Sequence, residues 1–296
     1  MKKWIKAFRL RTLPLSLACV GMGSFLAAGF HTFRWDVMVL TIITTLFLQI
    51  LSNLANDYGD YINGADHKER LGPARAVQSG EITPEAMKKM IIVFVLLSLI
   101  SGISLLFISL EVNVKFLLFL LLGIASIAAA IYYTMGKSPY GYSGLGDISV
   151  FVFFGWVGVC GTYFLHSGSF NPMVLLPATS CSLFSVAVLN INNIRDIDSD
   201  KAAGKKSIPV RIGRSKAVSY HFMLLLLGLL CALVFVVLNY EGIWQFLFLL
   251  SIPLFVKNYN AVRTYKEPKL IDPFLKQMAI STLIFVILFG VGFIVS

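Results

Sequence analysis

The chain has 296 residues, of which 57% are hydrophobic and only 14% are charged. A soluble domain is about 25% charged, so this chain has too few charged side chains to cover a water-facing surface. Its mean hydropathy is +0.79, and a helix needs about 20 apolar residues to cross a bilayer. The composition excludes a soluble globular domain, a disordered chain and a disulfide-stapled secreted module, and it predicts a polytopic membrane protein.

Nine apolar segments are candidates for membrane-spanning helices. They cover residues 13–30, 37–56, 90–110, 114–133, 147–166, 172–192, 219–239, 242–257 and 277–296. The eighth segment is the weakest, because it is short and Pro253 interrupts it. We therefore expect an all-α fold, a bundle of about nine transmembrane helices that forms a single domain over residues 1–296.

The basic residues predict the orientation of this bundle. Of the 25 Lys and Arg residues, 23 belong to the N-terminus and to the longer connections at one end, and only Arg34 and Lys115 belong to the other end. By the positive-inside rule, the N-terminus and the long loops are cytoplasmic. The formal charge of +10 is then explained by topology, so nucleic acid is not an expected partner. We expect a multi-pass protein of the inner (cytoplasmic) membrane.

The first polar cluster covers residues 53–66, at the end of the second span. If the helix continues to Asp60, spacings of three and four residues place Asn53, Asn56, Asp57 and Asp60 on one face. Gly64 can end that helix, and Asp66 can then turn back toward the same site.

The second polar cluster covers residues 190–200, at the end of the sixth span. The same spacing places four side chains on one face, namely Asn192, Asn193, Asp196 and Asp200, while Asp198 points away. Asp57 and Asp196 are 139 residues apart, close to half the chain. We therefore expect a weak internal repeat, which is parallel because both clusters lie on the same side of the membrane.

Carboxylates at these spacings repel one another, so a helix that carries them needs a cation. Several oxygen ligands without His or Cys favour Mg²⁺, which is commonly shared with substrate phosphates. Candidate donors to phosphate oxygens lie nearby: Arg75, Arg195, Lys201, Lys205 and Lys206. The pattern predicts a diphosphate held through bridging metal ions, on the cytoplasmic side.

The two clusters have three other interpretations. Acidic loops at helix ends can simply be solvated, but two matched clusters half a chain apart make this the weaker reading. A cation-coupled transporter would carry its acidic residues near the bilayer midplane, whereas these lie at helix ends. A structural membrane scaffold would not require two Asn/Asp faces at matched positions.

Three sequence motifs resemble those of one family. Residues 53–66 match N-x-x-N-D-Y-x-D-x-x-x-G-x-D, residues 72–80 match G-P-x-R-x-V-x-S-G, and residues 192–205 match N-N-x-R-D-x-x-x-D-x-x-x-G-K. Over essentially its whole length the chain resembles the UbiA superfamily of intramembrane prenyltransferases. Within that superfamily it is similar to the branch that acts on 1,4-dihydroxy-2-naphthoate. The 4-hydroxybenzoate branch differs in the spacing of its first motif and in the wording of the following loop.

The resemblance implies a reaction: Mg²⁺-dependent transfer of a polyprenyl group from polyprenyl diphosphate to 1,4-dihydroxy-2-naphthoate. Attack at the carboxylate-bearing carbon, with loss of CO₂ and diphosphate, gives demethylmenaquinol in menaquinone biosynthesis. The prenyl tail is expected in an apolar tunnel that opens to lipid. A different aromatic acceptor, such as 4-hydroxybenzoate or homogentisate, is the alternative within the family.

The resemblance also implies roles for individual residues. The expected Mg²⁺ ligands are Asp57, Asp60, Asp66, Asp196 and Asp200, assisted by Asn53, Asn56, Asn192 and Asn193. The expected diphosphate-binding residues are Arg75, Arg195, Lys201 and Lys205. Lys137, which stands where the family pattern has proline after a glycine, is included among the substrate-binding residues.

Aromatic side chains near the predicted site could stabilise an allylic cation. The candidates are Tyr58, Tyr61, Tyr132, Tyr133, Tyr140 and Tyr142, and Tyr133 is the one we select. The glycine-rich run Gly141–Asp147 superficially resembles a dinucleotide fingerprint. Because no strand precedes it, we interpret it as a tight turn into the fifth span.

Overall fold

The computed structural model describes residues 2–64 and 75–296, and in these two ranges all regular structure is helical. The α-helices are α1 (Lys2–Phe8), α2 (Leu13–Gly29), α3 (Trp35–Ile62), α4 (Pro84–Ser109), α5 (Val114–Tyr132), α6 (Gly146–Val150), α7 (Gly161–Ser167), α8 (Leu175–Arg195), α9 (Ile197–Ala202), α10 (Ile208–Leu238), α11 (Ile252–Thr264) and α12 (Pro268–Ile294). Ten residues of π-helix, Phe151–Cys160, join α6 to α7. Short 3₁₀ turns cover Leu10–Thr12, Tyr140–Ser143 and Pro172–Val174, and a longer 3₁₀ helix covers Ile243–Ser251.

Within the described ranges, eight helical segments are long and apolar enough to cross a membrane. They are Lys2–Gly29, Trp35–Ile62, Pro84–Ser109, Val114–Tyr132, Gly146–Ser167, Pro172–Arg195, Ile208–Leu238 and Pro268–Ile294. The all-helical membrane fold is thus confirmed, and eight of the nine predicted segments lie in these helices. The chain is a multi-pass membrane protein.

The remaining predicted segment, residues 242–257, differs from a regular spanning helix. It begins as the 3₁₀ helix Ile243–Ser251 and continues as α11, with Pro253 at the start of the α-helical part. Together these 22 residues extend over roughly 35–40 Å. At one end Gly242 lies beside Ser296, and at the other end the Arg214 guanidinium donates to the carbonyl oxygen of Val262 at 3.0 Å. The segment therefore runs the length of the bundle beside α12, although neither half is a long α-helix.

Short polar residues and prolines set the helix ends. α4 begins where the Thr83 hydroxyl accepts a hydrogen bond from the Ala86 amide at 3.2 Å and Pro84 takes the first helical position, where its missing N–H is not needed. α5 begins where Asn113 Oδ1 accepts from the Lys115 amide at 2.8 Å. α3 ends at Ile62, and Gly64 follows in the left-handed region with φ of +65°, which confirms the predicted helix stop.

The long connections meet at one end of the bundle, as the charge pattern predicted. Lys6, near the N-terminus, forms a 2.6 Å ion pair with Glu81 in the connection before α4. Asn63 donates to the carbonyl oxygen of Thr134 at 2.8 Å. At the opposite end Arg34 donates to the carbonyl oxygen of Ile108 at 2.8 Å. We call the first of these ends the loop end.

The two halves of the bundle are packed differently. α8, α10, α12 and the 243–264 segment surround a cluster of fully buried phenylalanines: Phe184, Phe235, Phe248, Phe255, Phe285 and Phe289. Aromatic rings supply large buried area and restrict one another through edge contacts. α5, in contrast, has no fully buried residue and packs mainly on α3 and α4. The well-packed half holds the second polar cluster in place, while α5 forms one wall of the cavity described next.

Candidate active site

A cavity of about 480 Å³ runs from the loop end into the apolar interior. It extends along α3 from Asp60 to Thr41, nineteen residues or about 28 Å of helix. The loop end of the cavity is lined by polar residues from both clusters: Asn53, Asn56, Asp60, Arg75, Asn192, Asn193, Asp196, Asp200 and Lys205. Its deeper part is lined mainly by apolar residues that include Leu105, Leu106, Phe119, Leu120, Val157 and Leu165. The two clusters that are 139 residues apart in sequence thus meet in one place.

Asp60 is the most heavily bonded residue of the first cluster. Only 2% of the residue is exposed, and its carboxylate forms an ion pair with the Arg75 guanidinium. It also accepts a hydrogen bond from the Tyr142 hydroxyl at 2.6 Å and one from Lys205 Nζ at 3.2 Å. Hydrogen bonds from two cations and a phenol are charge-assisted and stabilise this buried carboxylate in its position.

The turn after α5 packs tightly against this part of α3. A Cβ atom on Gly59 would lie 2.5–2.6 Å from atoms of Thr134, so only glycine permits the approach. The Thr134 hydroxyl then donates to the carbonyl oxygen of Ala55 at 3.0 Å and lies 3.1 Å from Asn56 Oδ1. Thr134, which sequence reasoning did not select, therefore fixes the position of the Asn56 amide in the cavity.

Asp57 does not share the cavity face with its neighbours. Its carboxylate is 1% exposed and accepts from the backbone amides of Ala76 and Val77 at 3.1 and 3.4 Å, and Asp57 is absent from the cavity lining. The prediction of a common face is correct for Asn53, Asn56 and Asp60. In this structure Asp57 instead anchors the loop that carries Arg75.

Asn53 lines the cavity and also secures the N-terminal segment. Its Nδ2 donates to the carbonyl oxygen of Phe8 at 2.9 Å and to the Thr12 hydroxyl at 3.0 Å. These bonds join α3 to the turn between α1 and α2. The amide of Asn53 is thus committed to protein contacts in this arrangement.

The second cluster lies across a break between two helices. α8 ends at Arg195, Asp196 has φ of −99° and ψ of 14°, and α9 begins at Ile197. The Asp200 amide nevertheless donates to the Asp196 carbonyl oxygen at 2.8 Å, which keeps the spacing of a helical turn. As predicted, Asn192, Asn193, Asp196 and Asp200 all line the cavity, and Asp198 is exposed.

Arg195 is surrounded by acceptors from its own protein. Its Nε and Nη2 donate to the two carboxylate oxygens of Asp196 at 2.7 and 2.5 Å, and Nη1 donates to Asp272 Oδ1 at 2.5 Å. Nη2 also donates to Asn192 Oδ1 at 2.8 Å. The side chain is 1% exposed and does not line the cavity. Arg195 forms a clamp that joins α8, Asp196 and the start of α12, and its expected diphosphate contact stays a prediction.

Lys205 is where the two clusters meet. Its Nζ lies 3.2 Å from Asp60 Oδ1 and 3.7 Å from Asp200 Oδ1, and 4.6 Å from the centre of the Tyr142 ring. The Lys206 amide donates to the Tyr142 carbonyl oxygen at 2.8 Å, which brings the second-cluster loop against the 140–146 turn. The Lys205 ammonium group therefore lies between acids of the first and second clusters.

The remaining predicted basic residues are placed elsewhere. Lys137 and Lys201 are exposed and do not line the cavity, and Lys206 is exposed as well. Asp66 lies outside the described residues. The structure thus brings Arg75 and Lys205 into the cavity and keeps the other predicted cations out of it.

Tyr133 lines the cavity beside both clusters. Its ring contacts Tyr140 edge-on with a centroid distance of 5.4 Å and an interplanar angle of 87°. A Cβ atom on Gly141 would lie 2.6 Å from the Tyr133 carbonyl oxygen, and one on Gly146 would lie 2.8 Å from the Tyr133 hydroxyl. Burial, and then the negative charge of Asp147, raises the pKa of Tyr133 well above its usual range, so the phenol stays neutral. The glycine-rich run is a turn, as predicted, and it wraps around this ring.

The oxygen donors in the cavity suit a hard cation such as Mg²⁺, which binds carboxylate and carbonyl oxygens. Asp60, Asp196 and Asp200 supply carboxylates to one chamber without His or Cys beside them. In the described part of the chain no three acidic, His or Cys side chains converge closely enough to hold an ion. The Lys205 ammonium group stands between the two clusters instead. The residues therefore fit a divalent cation for two reasons. They offer oxygen ligands, and their carboxylates already have a positive charge between them.

Sequence reasoning did not find Asp147 and Asp272, and it ranked Tyr142 below Tyr133. Asp272 is 76 residues beyond Asp196, and nothing in its local sequence indicates that it would contact Arg195. Asp147 closes the glycine-rich run, which the sequence pattern identifies only as a turn. An acid at the end of that run, at the start of an apolar span, is the signal that the sequence offers.

Comparison with known proteins identifies relatives over the whole chain. Residues 16–293 match the model of the UbiA prenyltransferase family. The chain is 44% identical over 293 residues to the 1,4-dihydroxy-2-naphthoate octaprenyltransferase of Escherichia coli (strain K12), covering 99% of this chain and 95% of that protein. It is 32% identical to the enzyme of the same name from Mycobacterium tuberculosis, covering 95% and 93% of the two chains.

Solved structures share the fold at lower sequence identity. A UbiA homologue from Aeropyrum pernix K1 in its apo form has a TM-score of 0.69 and 19% identity, covering 96% of this chain and 97% of the other. A UbiA homologue from Archaeoglobus fulgidus bound to GPP and Mg²⁺ has a TM-score of 0.64 and 17% identity, covering 99% and 100%. With these likenesses and the family match over residues 16–293, the chain belongs to the UbiA prenyltransferase family.

Proposed function

We propose that this protein transfers a polyprenyl group from polyprenyl diphosphate to 1,4-dihydroxy-2-naphthoate, releasing CO₂ and diphosphate and producing demethylmenaquinol for menaquinone biosynthesis. The observation that carries the proposal is the cavity, in which a charged end for a diphosphate continues into an apolar chamber, over about 28 Å in all along α3. A ligand with an anionic head and a long hydrocarbon tail matches both parts. The 44% identity to the Escherichia coli enzyme supports the choice of acceptor.

The diphosphate would bind at the loop end. Arg75 and Lys205 line the cavity there and supply guanidinium and ammonium donors to phosphate oxygens. Asp60, Asp196 and Asp200 would hold Mg²⁺, with Asp66 as a further predicted ligand and Asn56, Asn192 and Asn193 assisting. Bound Mg²⁺ would neutralise the charge that develops on the departing diphosphate. Asp57 would act by ordering the loop that presents Arg75.

The reaction needs no external oxidant or reductant. The C1–O bond of the prenyl diphosphate breaks and its electron pair leaves with the diphosphate. A π-electron pair of the electron-rich ring then forms the new C–C bond to C1. The carboxyl group departs as CO₂, and the electron pair of its broken bond restores the ring. Tyr133 lies in the cavity near Asp60 and Asp200, where the π-face of its neutral ring can stabilise the developing allylic cation.

The prenyl tail would occupy the deeper chamber. Leu105, Leu106 and Leu165 belong both to the cavity wall and to a buried cluster at the far end of α3. Lipid offers a hydrocarbon chain nearly the same environment as this wall. The chamber therefore orients the chain more than it adds affinity.

The orientation of the protein in the membrane is inferred from the uneven distribution of Lys and Arg between the two ends of the bundle. The loop end carries nearly all basic residues, so we place it, with the N-terminus and the active site, on the cytoplasmic side of the inner (cytoplasmic) membrane. The diphosphate and the naphthoate are water-soluble at their charged ends and would enter from the cytoplasm. The tail would come from the membrane.

The experiment is turnover of carboxyl-labelled 1,4-dihydroxy-2-naphthoate by the purified protein in lipid, with polyprenyl diphosphate and Mg²⁺. We expect labelled CO₂ and a prenylated product, both lost on addition of chelator and in Asp60→Asn and Asp200→Asn. Asp198→Asn is the matched control, because Asp198 is an exposed acid of the same segment, and it should retain activity.

The alternatives give different results in the same assay. Prenylation of 4-hydroxybenzoate or homogentisate, with no turnover of the naphthoate, would keep the site and replace the acceptor. An absence of turnover with every aromatic acceptor, for a folded protein, would contradict prenyl transfer. It would favour the cation-coupled transporter.

A further inference from the structure

Asp147 is a cavity-lining acid that the diphosphate site does not use. It closes the run Gly141–Asp147 at the start of α6, and the residue is 8% exposed. Its Oδ2 accepts a hydrogen bond from the Tyr220 hydroxyl at 2.9 Å. No Lys or Arg in the described ranges forms an ion pair with it, whereas Asp60, Asp196 and Asp200 each have at least one such partner.

A buried carboxylate with only a phenol as its side-chain donor is costly. Taking a charge out of water is expensive unless it is paired and hydrogen-bonded. Asp147 could be replaced by a neutral residue if its only task were to join α6 to α10. Its charge calls for a further donor, and the cavity is where a ligand can supply it.

The position of Asp147 narrows the choice of ligand. The run that ends in Asp147 begins against Tyr133, since Gly141 and Gly146 both lie within van der Waals reach of that residue. Within the same run, Tyr142 donates to Asp60. Asp147 and Asp60 thus flank Tyr133 in one wall of the cavity, with the diphosphate end on the side of Asp60.

The chemistry of the two substrates leaves one match. A carboxylate accepts hydrogen bonds from O–H or N–H donors and repels anions. The prenyl tail and the ionised diphosphate have no hydrogen-bond donor. The hydroxyl groups of the aromatic acceptor are therefore the groups of the two substrates that can donate a hydrogen bond to a carboxylate.

We infer that Asp147 is an acceptor-binding residue, which accepts a hydrogen bond from a ring hydroxyl of the aromatic substrate and holds the ring beside Tyr133. This inference rests on the proposed function and adds a subsite to it. A hydroxyl that donates to a carboxylate carries more electron density on its oxygen and passes it to the ring carbons ortho and para to it. The same contact therefore orients the ring and makes it a better nucleophile.

The test is a comparison of acceptors in wild type and Asp147→Asn. The assay measures kcat/KM for 1,4-dihydroxy-2-naphthoate and for its two monomethyl ethers, in which one hydroxyl can no longer donate. We expect wild type to discriminate against one of the ethers by about 10- to 100-fold, the size of a hydrogen bond to a charged group. Asp147→Asn should lower kcat/KM for the parent acceptor by a similar factor and lose most of that discrimination.

Two further readouts separate this role from a structural one. KM for the prenyl diphosphate and the Mg²⁺ concentration for half-maximal rate should stay within about twofold of wild type in Asp147→Asn, since a hydrogen bond of this kind acts on one ligand. Tyr220→Phe is the matched control, because it breaks the same Asp147–Tyr220 bond but keeps the carboxylate. It should retain discrimination between hydroxyl and methoxy acceptors.

Equal discrimination in wild type and Asp147→Asn would overturn the inference, as would a rise in KM confined to the prenyl diphosphate. If Asp147→Asn is not recovered folded, Asp147→Ala takes its place, and wild-type discrimination between the acceptors in that variant would overturn the inference as well. Failure of the proposed function is recognised separately, because wild type would then turn over no naphthoate before any variant is compared.

Discussion

The clamp around Arg195 gives the sharpest prediction about this site. The guanidinium holds both oxygens of Asp196 and reaches Asp272 and Asn192, all within 2.5–2.8 Å. Replacing Arg195 by methionine keeps the length of the side chain and removes every donor. Asp196, 5% exposed, is then left as a buried carboxylate without its cation.

Removing one partner of a buried ion pair costs about 3–5 kcal/mol, so Arg195→Met should lower the free energy of unfolding by about that amount. Asp272→Asn should cost less, about 1–2 kcal/mol, because the Asp272 side chain is 28% exposed and solvent screens part of the interaction. The double variant Arg195→Met with Asp196→Asn should lose less free energy of unfolding than the two single variants added together, by about 1–3 kcal/mol. Removing both charges leaves neither of them unpaired.

Equilibrium unfolding of the protein in detergent measures these free energies, and the Mg²⁺ dependence of turnover gives a second readout. Lys201→Met is the matched control, because Lys201 is an exposed cation six residues away and its loss should change stability little. We expect Arg195→Met to raise the Mg²⁺ concentration for half-maximal rate. Wild-type stability in Arg195→Met, together with a raised KM for the prenyl diphosphate alone, would refute the clamp and favour direct diphosphate binding.

Three further predictions concern the loop end of the cavity. Gly146→Ala should reduce activity at least about tenfold, because its Cβ would lie 2.8 Å from the Tyr133 hydroxyl. Adding Tyr133→Phe to that variant should restore part of the activity. Gly102→Ala is the control and should resemble wild type, because the nearest atom to its Cβ is 3.7 Å away. Asp57→Ala should cost about 1.5–3 kcal/mol and speed proteolysis within residues 75–80, whereas Asp60→Ala should abolish turnover with a smaller change in proteolysis. Because the pKa of Tyr133 is raised in the folded protein, the unfolded state loses its phenolic proton first; stability should therefore fall above about pH 10, and the fall should be smaller in Tyr133→Phe.

Much of the architecture could be predicted because it depends on local patterns. Apolar length predicted the spans, basic residues predicted which connections share an end, and i, i+3 and i+4 spacing predicted that Asn56, Asp60, Asp196 and Asp200 belong to two compact clusters. The family motifs come from the same short stretches. Segment 242–257 was the least regular in sequence, and it is the one that departs from a continuous α-helix in the structure.

Which protein groups face the substrate was decided by tertiary structure. Asp57 and Asp60 carry the same functional group three residues apart, yet Asp57 is turned to the amides of Ala76 and Val77, because the loop that follows folds back over that side of α3. The Arg195 guanidinium donates to Asp272, a residue on the last helix that no spacing rule connects to it.

Local sequence therefore determined the chemical inventory of this protein, the positions of eight of its apolar helical segments and the end of the bundle at which its polar groups lie. The tertiary structure decided which acids line the cavity, which cation lies between the two clusters, and that Asp147 stands apart from the diphosphate site. The physical reason is that a buried charge is stabilised by whichever partner packing brings to within hydrogen-bond distance. For Arg195 and Lys205 those partners come from helices and loops that are far away in the chain.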